Sequence, residues 1–334
     1  MPEGNIMPGR EDAARRKRAL MIQRAVGAIP AMAATALGLL YLISALANGI
    51  NLLIGFEVIV SNATLVALVA TGATFIFTCG SFDLSLGANM LLSAVIGGYA
   101  GIRTGSVLLI LVVSIIMAVL LSVTNSVLAS FFNLPVFIMT IVMMNVYGSV
   151  SNLLFTTLGE NAKISVPFSL VSGLNTTGFR LLVLLTFEVF CCFLFYFTKL
   201  GRREKFLGGN PVCAALSGIK PKGLTILSFA LAGIGIGLAA FSLIVETPTL
   251  SSSSGSSVGM NMLIALVFGG MNMNGGPGSK MYAALLGALS MAFLDSFMNI
   301  FVTGSWYLEI VKGVLFVLVV FLFTIGKRSR LLPR

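Results

Sequence analysis

The stretch KLGRREKFLGGNPVCAALSGIKPKGLTILSFALAGIGIGLAAFSLIV, residues 199–245, decides what kind of protein this is. Its first part, 199–222, holds six lysines and arginines; the rest, 223–245, holds no charge. An uncharged run of about 20 residues crosses the hydrocarbon core as a helix. A basic flank marks the side that stays in the cytoplasm.

The same alternation recurs outward from this stretch. Of the 21 Lys and Arg, six lie in 1–24, six in 199–222 and four in 327–334, which leaves Arg103, Lys163, Arg180, Lys280 and Lys312. The 334 residues are 57% hydrophobic and 10% charged, whereas ordinary soluble domains carry about 25% charged residues. A net charge of +10 could serve nucleic acid, but clusters separated by apolar runs are the cytoplasmic loops of a multi-span protein. The bilayer is therefore the expected partner, and nucleic acid is not.

Apolar runs fall at 26–47, 58–79, 84–102, 106–131, 134–157, 179–198, 223–245, 258–271, 281–300 and 306–325. They predict an all-α integral membrane protein of about ten transmembrane helices with Gly-rich broken or re-entrant segments. Parity supports the count: six crossings from a basic N-terminus return the chain to 199–222, and four more return it to 327–334. Both termini are then cytoplasmic. The domain reading is a basic segment 1–25, one membrane domain 26–326 with a cytoplasmic segment at about 201–222, and a basic tail 327–334. The run 26–47 exceeds a signal-peptide core of about 7–15 residues and reads as a retained anchor. The run 258–271 is short for a crossing and better suits a half-span. Two Gly-rich breaks, 78–98 and 268–288, look weakly alike and predict an internal repeat around a path.

Several chemistries close. The chain has no histidine, so no His-based zinc site, triad or imidazole relay. Cys79, Cys191, Cys192 and Cys213 form no C-x-x-C pair and read as packing residues. Gly275–Lys280 (GGPGSK) lacks the Gly-Lys-Ser/Thr core of a phosphate loop, so the chain itself is not expected to hydrolyse ATP. Neither catalytic residues nor a metal nor a bound cofactor is expected.

Charges within spans are costly and mark cavities or partners. Asp83 lies in a Gly-rich break, where it serves as a helix cap or a substrate contact. Glu188 lies mid-span without an evident partner, Asp295 lies in the ninth run, and Glu309 and Lys312 share a helix face. The spans also carry Asn89, Asn125, Asn145, Asn152, Asn261, Asn272, Asn274 and Asn299. Such amides either line a path for a neutral hydroxylated solute or join helices. Asp83, Ser85, Asn89, Asn145, Asn272 and Asn274 are the pathway candidates. In the cytoplasmic stretch, Gly208, Gly209 and Asn210 precede Pro211, then Ala214, Ala215, Leu216, Ser217 and Gly218. Asn210 suits a cap, Pro211 the first helical position and Gly218 the stop. A short helix with such defined ends is a docking element.

These residues resemble the permease subunits of ATP-binding-cassette importers for ribose, xylose, related sugars and autoinducer-2, kin to the branched-chain amino-acid permeases. Three stretches carry the resemblance: Cys79-Gly80-Ser81-Phe82-Asp83-Leu84-Ser85-Leu86-Gly87; Gly208-Gly209-Asn210 with Ala214 to Ile219; and Gly269-Gly270 with Gly275-Gly276, Gly278-Ser279 and Gly287. The sequence departs at Met260 to Leu263, where the family has Glu-Leu, at Pro277, and at Ser81-Phe82. The resemblance implies a second permease copy or homologue, two ATPase domains that carry ATP–Mg and grip 208–218, and an extracytoplasmic solute-binding protein. It also implies a bacterial inner-membrane location and a small-molecule cargo, most simply a pentose. Nucleosides, branched-chain amino acids and an ion-coupled carrier remain alternatives.

Overall fold

The computed structural model describes residues 30–272, 274–301, 310–314, 317 and 321. Its helices are α1 Pro30–Ala47, α2 Leu52–Thr78, α3 Leu86–Thr104, α4 Val107–Phe131, α5 Val136–Leu158, α6 Phe168–Val171, α7 Thr177–Phe197, α8 Lys199–Gly209, α9 Pro211–Leu216, α10 Pro221–Glu246, α11 Val258–Phe268 and α12 Tyr282–Phe301. A thirteenth segment, α13, covers 310–314. Two short strands, β1 Ile164–Ser165 and β2 Thr249–Leu250, pair antiparallel. Seven of the described helices (α1, α2, α4, α5, α7, α10 and α12) are long and apolar enough to cross a membrane.

Local chemistry sets the helix ends. Asn51, Thr176, Thr198 and Asn210 each accept a backbone N–H of the following first turn, which satisfies donors that helix N-termini leave open. Proline opens α9 and α10, where its missing N–H costs nothing. Most apolar runs match the observed helices closely. The second starts six residues earlier than read, at Leu52, so Glu57 is helical. The basic segment 199–222 holds two helices, α8 and α9, where one was expected. The tenth run lies largely outside the described residues, as do 1–25, Glu309 and the tail.

Two ends are distinguishable. At one, Lys222 Nζ meets the Ser130 carbonyl and Asn133 Oδ1, each at 3.0 Å, and the Met281 N–H donates to Tyr196 Oη at 3.1 Å. This basic end gathers the turns after α2, α4, α7 and α11. The opposite end carries the two-stranded sheet, against which Gly98 of α3 packs through Val166 and Leu250.

The centre is α2 and α10, the most buried of the long helices. Lipid gives little drive for helix association, so close backbone approach over small residues supplies the packing. A Cβ on Gly233 or Gly237 of α10 would lie 2.5 Å from Val119 Cα or 2.4 Å from Ile115 Cα of α4.

Packing shows an internal repeat, in a different register from the one read in the sequence. α2 packs on α12 as α10 packs on α4; α3 lies on α4 as α11 lies on α12; α3 touches α10 as α11 touches α2. The matching strings are Leu86-Gly87-Ala88-Asn89-Met90-Leu91-Leu92 and Val258-Gly259-Met260-Asn261-Met262-Leu263-Ile264. The two starts abut: a Cβ on Gly87 would sit 3.1 Å from Gly259 N, and one on Gly259 would sit 3.3 Å from Gly87 N. From that contact α3 runs to the sheet end and α11 to the basic end. The repeats are therefore inverted, and the break that mirrors 79–85 is 247–257, not 268–281. The 11 residues of α11 span about 16 Å at 1.5 Å each, half of a hydrocarbon core of about 30 Å.

Candidate functional site: a glycine junction, a polar break and an exposed polar stripe

The three Gly-rich stretches, far apart in sequence, meet at the basic end. A Cβ on Gly208 would fall 2.0 Å from the Thr78 carbonyl oxygen and 2.6 Å from Gly276 N. Gly276 in turn lies against Gly209, and Gly275 against Phe77 and Gly80. Any side chain at Gly208 would wedge α8 away from the end of α2. The segment 199–222 is therefore fastened by backbone contact to both central repeats.

From this junction α9 projects. Asn210 Oδ1 accepts the Cys213 N–H at 3.0 Å, Pro211 opens the helix, and Gly218 has φ +80° just beyond its end. Ala214 is fully buried, whereas Val212 is 68% and Leu216 84% exposed, with Ala215 also exposed. An apolar face turned outward beside basic residues is a surface made for a partner.

Glu204 of α8 is buried at this joint. The Ser228 hydroxyl of α10 donates to Glu204 Oε1 at 2.7 Å, and Cys79 Sγ at the end of α2 lies 3.2 Å from Ser228 Oγ. Loss of hydration pushes the Glu204 carboxyl up to about 8, against smaller opposing contributions from Ser228 and the Lys205 ammonium. Lys205 lies 4.1 Å over the Phe195 ring, and burial lowers its pKa.

Asp83 and Ser85 sit in the break before α3, both fully buried. The Ser85 N–H and hydroxyl donate to Asp83 Oδ1, each at 2.7 Å. Asn125 of α4 donates to Ser85 Oγ at 2.7 Å, and Tyr147 of α5 donates to Asn125 Oδ1 at 2.7 Å. The Leu84 N–H reaches Thr140 Oγ1 at 3.3 Å. One turn further, Asn89 donates to Ser122 Oγ at 2.9 Å and accepts from Ser93 at 3.1 Å. Asp83 thus caps the break itself, while Ser85 occupies the cap position of α3. Asn125, Tyr147 and Thr140 join this network from α4 and α5, so no local spacing around Asp83 signals them.

The remaining pathway candidates lie elsewhere. Asn272 and Asn274 belong to the junction loop: the Asn272 amide bonds the Gly275 carbonyl, and Asn274 backs onto Gly80. Asn145 is exposed on α5 and bonds only its own helix, at the Ile141 carbonyl. With Ser149, Asn152 and Thr156, also exposed, it forms a stripe at i, i+4, i+7 and i+11, one helix face. Glu188 does have partners: Thr71 of α2 donates to it at 2.6 Å, and Cys192 lies at 3.8 Å. Lys312 pairs with Asp295 of α12 at 3.1 Å; the expected pairing with Glu309 falls on a residue outside those described. All four cysteines are free thiols. Among the described residues no cluster of three or more Cys, Asp or Glu could hold a metal.

Comparison with known proteins agrees with this layout. The family described as branched-chain amino acid transport system, permease component, matches residues 55–320. The ribose import permease protein of Escherichia coli K12 is 30% identical over 275 residues, covering 78% of this chain and 83% of its own. The fructose import permease protein of Rhizobium meliloti is 27% identical, over 78% and 75%. The autoinducer 2 import system permease protein of Escherichia coli SMS-3-5 is 25% identical, over 76% and 74%. An inward-facing ABC transporter of metal-chelate type shares the fold, with TM-score 0.52 at 18% identity over 86% of this chain and 98% of that one.

Proposed function

From the premise that the chain belongs to the branched-chain amino acid transport system permease family, we propose that it is the membrane subunit of an ABC importer carrying a small neutral sugar, most simply a pentose. It is a transport component, not an enzyme, set as a multi-pass protein in a bacterial inner membrane. The relatives named for ribose and fructose import supply the cargo class. Ten crossings with cytoplasmic termini, the basic end inside, fit the charge clusters and the half-length α11.

The observation that carries the mechanism is the glycine junction. Because Gly208 and Gly275 lie against the end of α2 and Gly208 lies against Gly276, a force applied to α9 reaches both repeats without passing through a flexible side chain. Two ATPase domains, binding ATP–Mg, would grip Val212, Ala215 and Leu216, with Gly208 to Gly218 as the coupling element. Closing and opening of those domains then shifts α2 and α10. The path is assigned to the exposed Asn145 stripe of α5, facing a second permease copy or homologue. A polar stripe on a lipid-length helix is costly against acyl chains and suits hydroxylated solute. The Asp83–Ser85–Asn125–Tyr147 network holds the break rigid beside it. An extracytoplasmic binding protein delivers cargo at the sheet end.

Co-purification of the tagged chain with its ATPase, followed by reconstitution with a ribose-loaded binding protein, tests this. ATPase activity raised by the loaded binding protein, and lost on Ala215→Glu while the subunit still inserts, is the expected result. Ribose uptake by the chain alone under an ion gradient would overturn it.

A further inference from the structure

Beside Asn261, the partner of Asn89 across the inverted repeat, lies a cavity of about 200 Å³. It is bordered by α2, the end of α10, the start of α11 with the turn before it, α12 and α13, and is partly open. Its polar wall is Asn62, Ser257, Asn261, Asp295 and Lys312. Lys312 Nζ sits 3.1 Å from Asp295 Oδ1 and 3.1 Å from Asn261 Oδ1, and its side chain is only 5% exposed. Leu65, Val66 and Met291 supply an apolar wall.

Stability does not account for this arrangement. An ion pair removed from water loses about as much in desolvation as it gains in attraction, so apolar packing would serve at least as well. Within a membrane such a pair marks a functional site. A void so lined also does not stay dry: at about 30 Å³ per molecule it takes about six waters. The wall balances donors, from the ammonium, two amides and a hydroxyl, against carboxylate and amide acceptors. An ion pair flanked by amide and hydroxyl groups offers both donors and acceptors to a hydroxylated solute. Alternating polar and apolar walls match a ring that is hydroxylated at its edge and carries C–H groups on its faces. A space of about 200 Å³ is of the order of one monosaccharide.

We propose that this cavity is a solute subsite within each permease subunit, distinct from the Asn145 stripe, which takes a single neutral monosaccharide in place of its water. The choice of cargo rests on the sugar-importer reading; the site itself rests on the cavity and its ion pair. The first half of the repeat has no equivalent, because Asn89 there is closed by Ser122 and Ser93.

The test is thiol protection at the cavity wall. Ser257→Cys, in the reconstituted importer, is labelled with a small methanethiosulfonate reagent and read by mass spectrometry at that position, so that native Cys213 does not interfere. Ribose at ten times its Kd is expected to slow labelling by about ten-fold, and sucrose to leave it unchanged. In Lys312→Met with Asp295→Leu, which removes both charges together, ribose protection is expected to vanish while the sugar-free labelling rate and monodisperse elution persist. Absence of protection by ribose, equal protection by sucrose, or protection surviving in the double variant would each overturn the subsite. Ribose uptake separates the two readings: uptake without protection sinks the subsite alone, whereas neither uptake nor protection sinks the sugar reading with it. Should the double variant fail to elute as a folded species, Asn62→Leu replaces it, with the same expected loss of protection.

Discussion

The two inverted halves share one string, Gly-x-Asn-Met-Leu at 87–91 and 259–263, and place it at one contact, yet they finish differently. In the first half Asn89 is sealed by neutral hydroxyls at 2.9 and 3.1 Å, in a network that continues through Ser85, Asn125 and Tyr147. In the second, Asn261 faces an ammonium at 3.1 Å, an ion pair and a cavity. The backbone frame is common; the polar filling is not. A scaffold repeat thus fixes where two helices start, while residues from α4, α5, α12 and α13 decide whether the start is a plug or a chamber.

The largest test of that difference removes one charge. Lys312→Met leaves the partly buried Asp295 carboxylate without this ammonium and is expected to cost about 2–3 kcal/mol, less than the loss of one partner from a fully buried pair. Adding Asp295→Leu is expected to restore most of it, as read by thermal unfolding in detergent. If the single and double variants melted together, the pair would not belong to the interior.

Next in size, Asn89→Leu strands the Ser122 and Ser93 hydroxyls in the sealed half, at about 1–3 kcal/mol. Asn261→Leu, bordering a hydrated cavity, is expected to cost less. Equal losses would erase the distinction between plug and chamber.

A smaller effect addresses what the halves share. Gly87→Ala and Gly259→Ala each press a methyl against the other helix's backbone at 3.1–3.4 Å. They are expected to cost about 1 kcal/mol apiece, with matched magnitudes, and less than additively because one separation relieves both. Unequal or additive losses would break the symmetry.

The smallest effect concerns pH, and it is felt where both halves join α8. The Glu204 carboxyl is raised to about 8, so the fold favours its neutral form. Between the ordinary carboxyl value of 4.5 and about 8, the folded chain holds a proton that the unfolded chain has lost. Stability therefore falls as pH rises through that window and levels off above about 8. Stimulated ATPase activity is expected to decline as pH passes about 8, and Glu204→Gln is expected to flatten the decline. A wild-type profile that matches the variant's would remove Glu204 from the joint.

Much of the fold was legible because the signals are short-range. Ten apolar runs, three basic clusters and the Asn210–Pro211–Gly218 pattern each depend on residues within one turn or one span. The short run at 258–271 already indicated half a crossing. What was misread was the mate of the Asp83 break: glycine content drew attention to 268–288, whereas the true counterpart, 247–257, is a serine tract whose likeness resides in the helix that follows. Glu188 looked partnerless because Thr71 lies 117 residues away. Asn272 and Asn274 looked like pathway residues because composition does not report depth.

By itself, the sequence determined the membrane class, the places of most of the described apolar helices, the ends of α9 and the family. Hydropathy, charge and capping act over distances that the chain covers locally. Tertiary structure alone decided that three remote glycine stretches form one junction, that the repeats are inverted about Gly87 and Gly259, and that Lys312 answers Asp295. Each of these depends on how closely two backbones approach, and in lipid that distance is set by the small residues of both helices together rather than by either one.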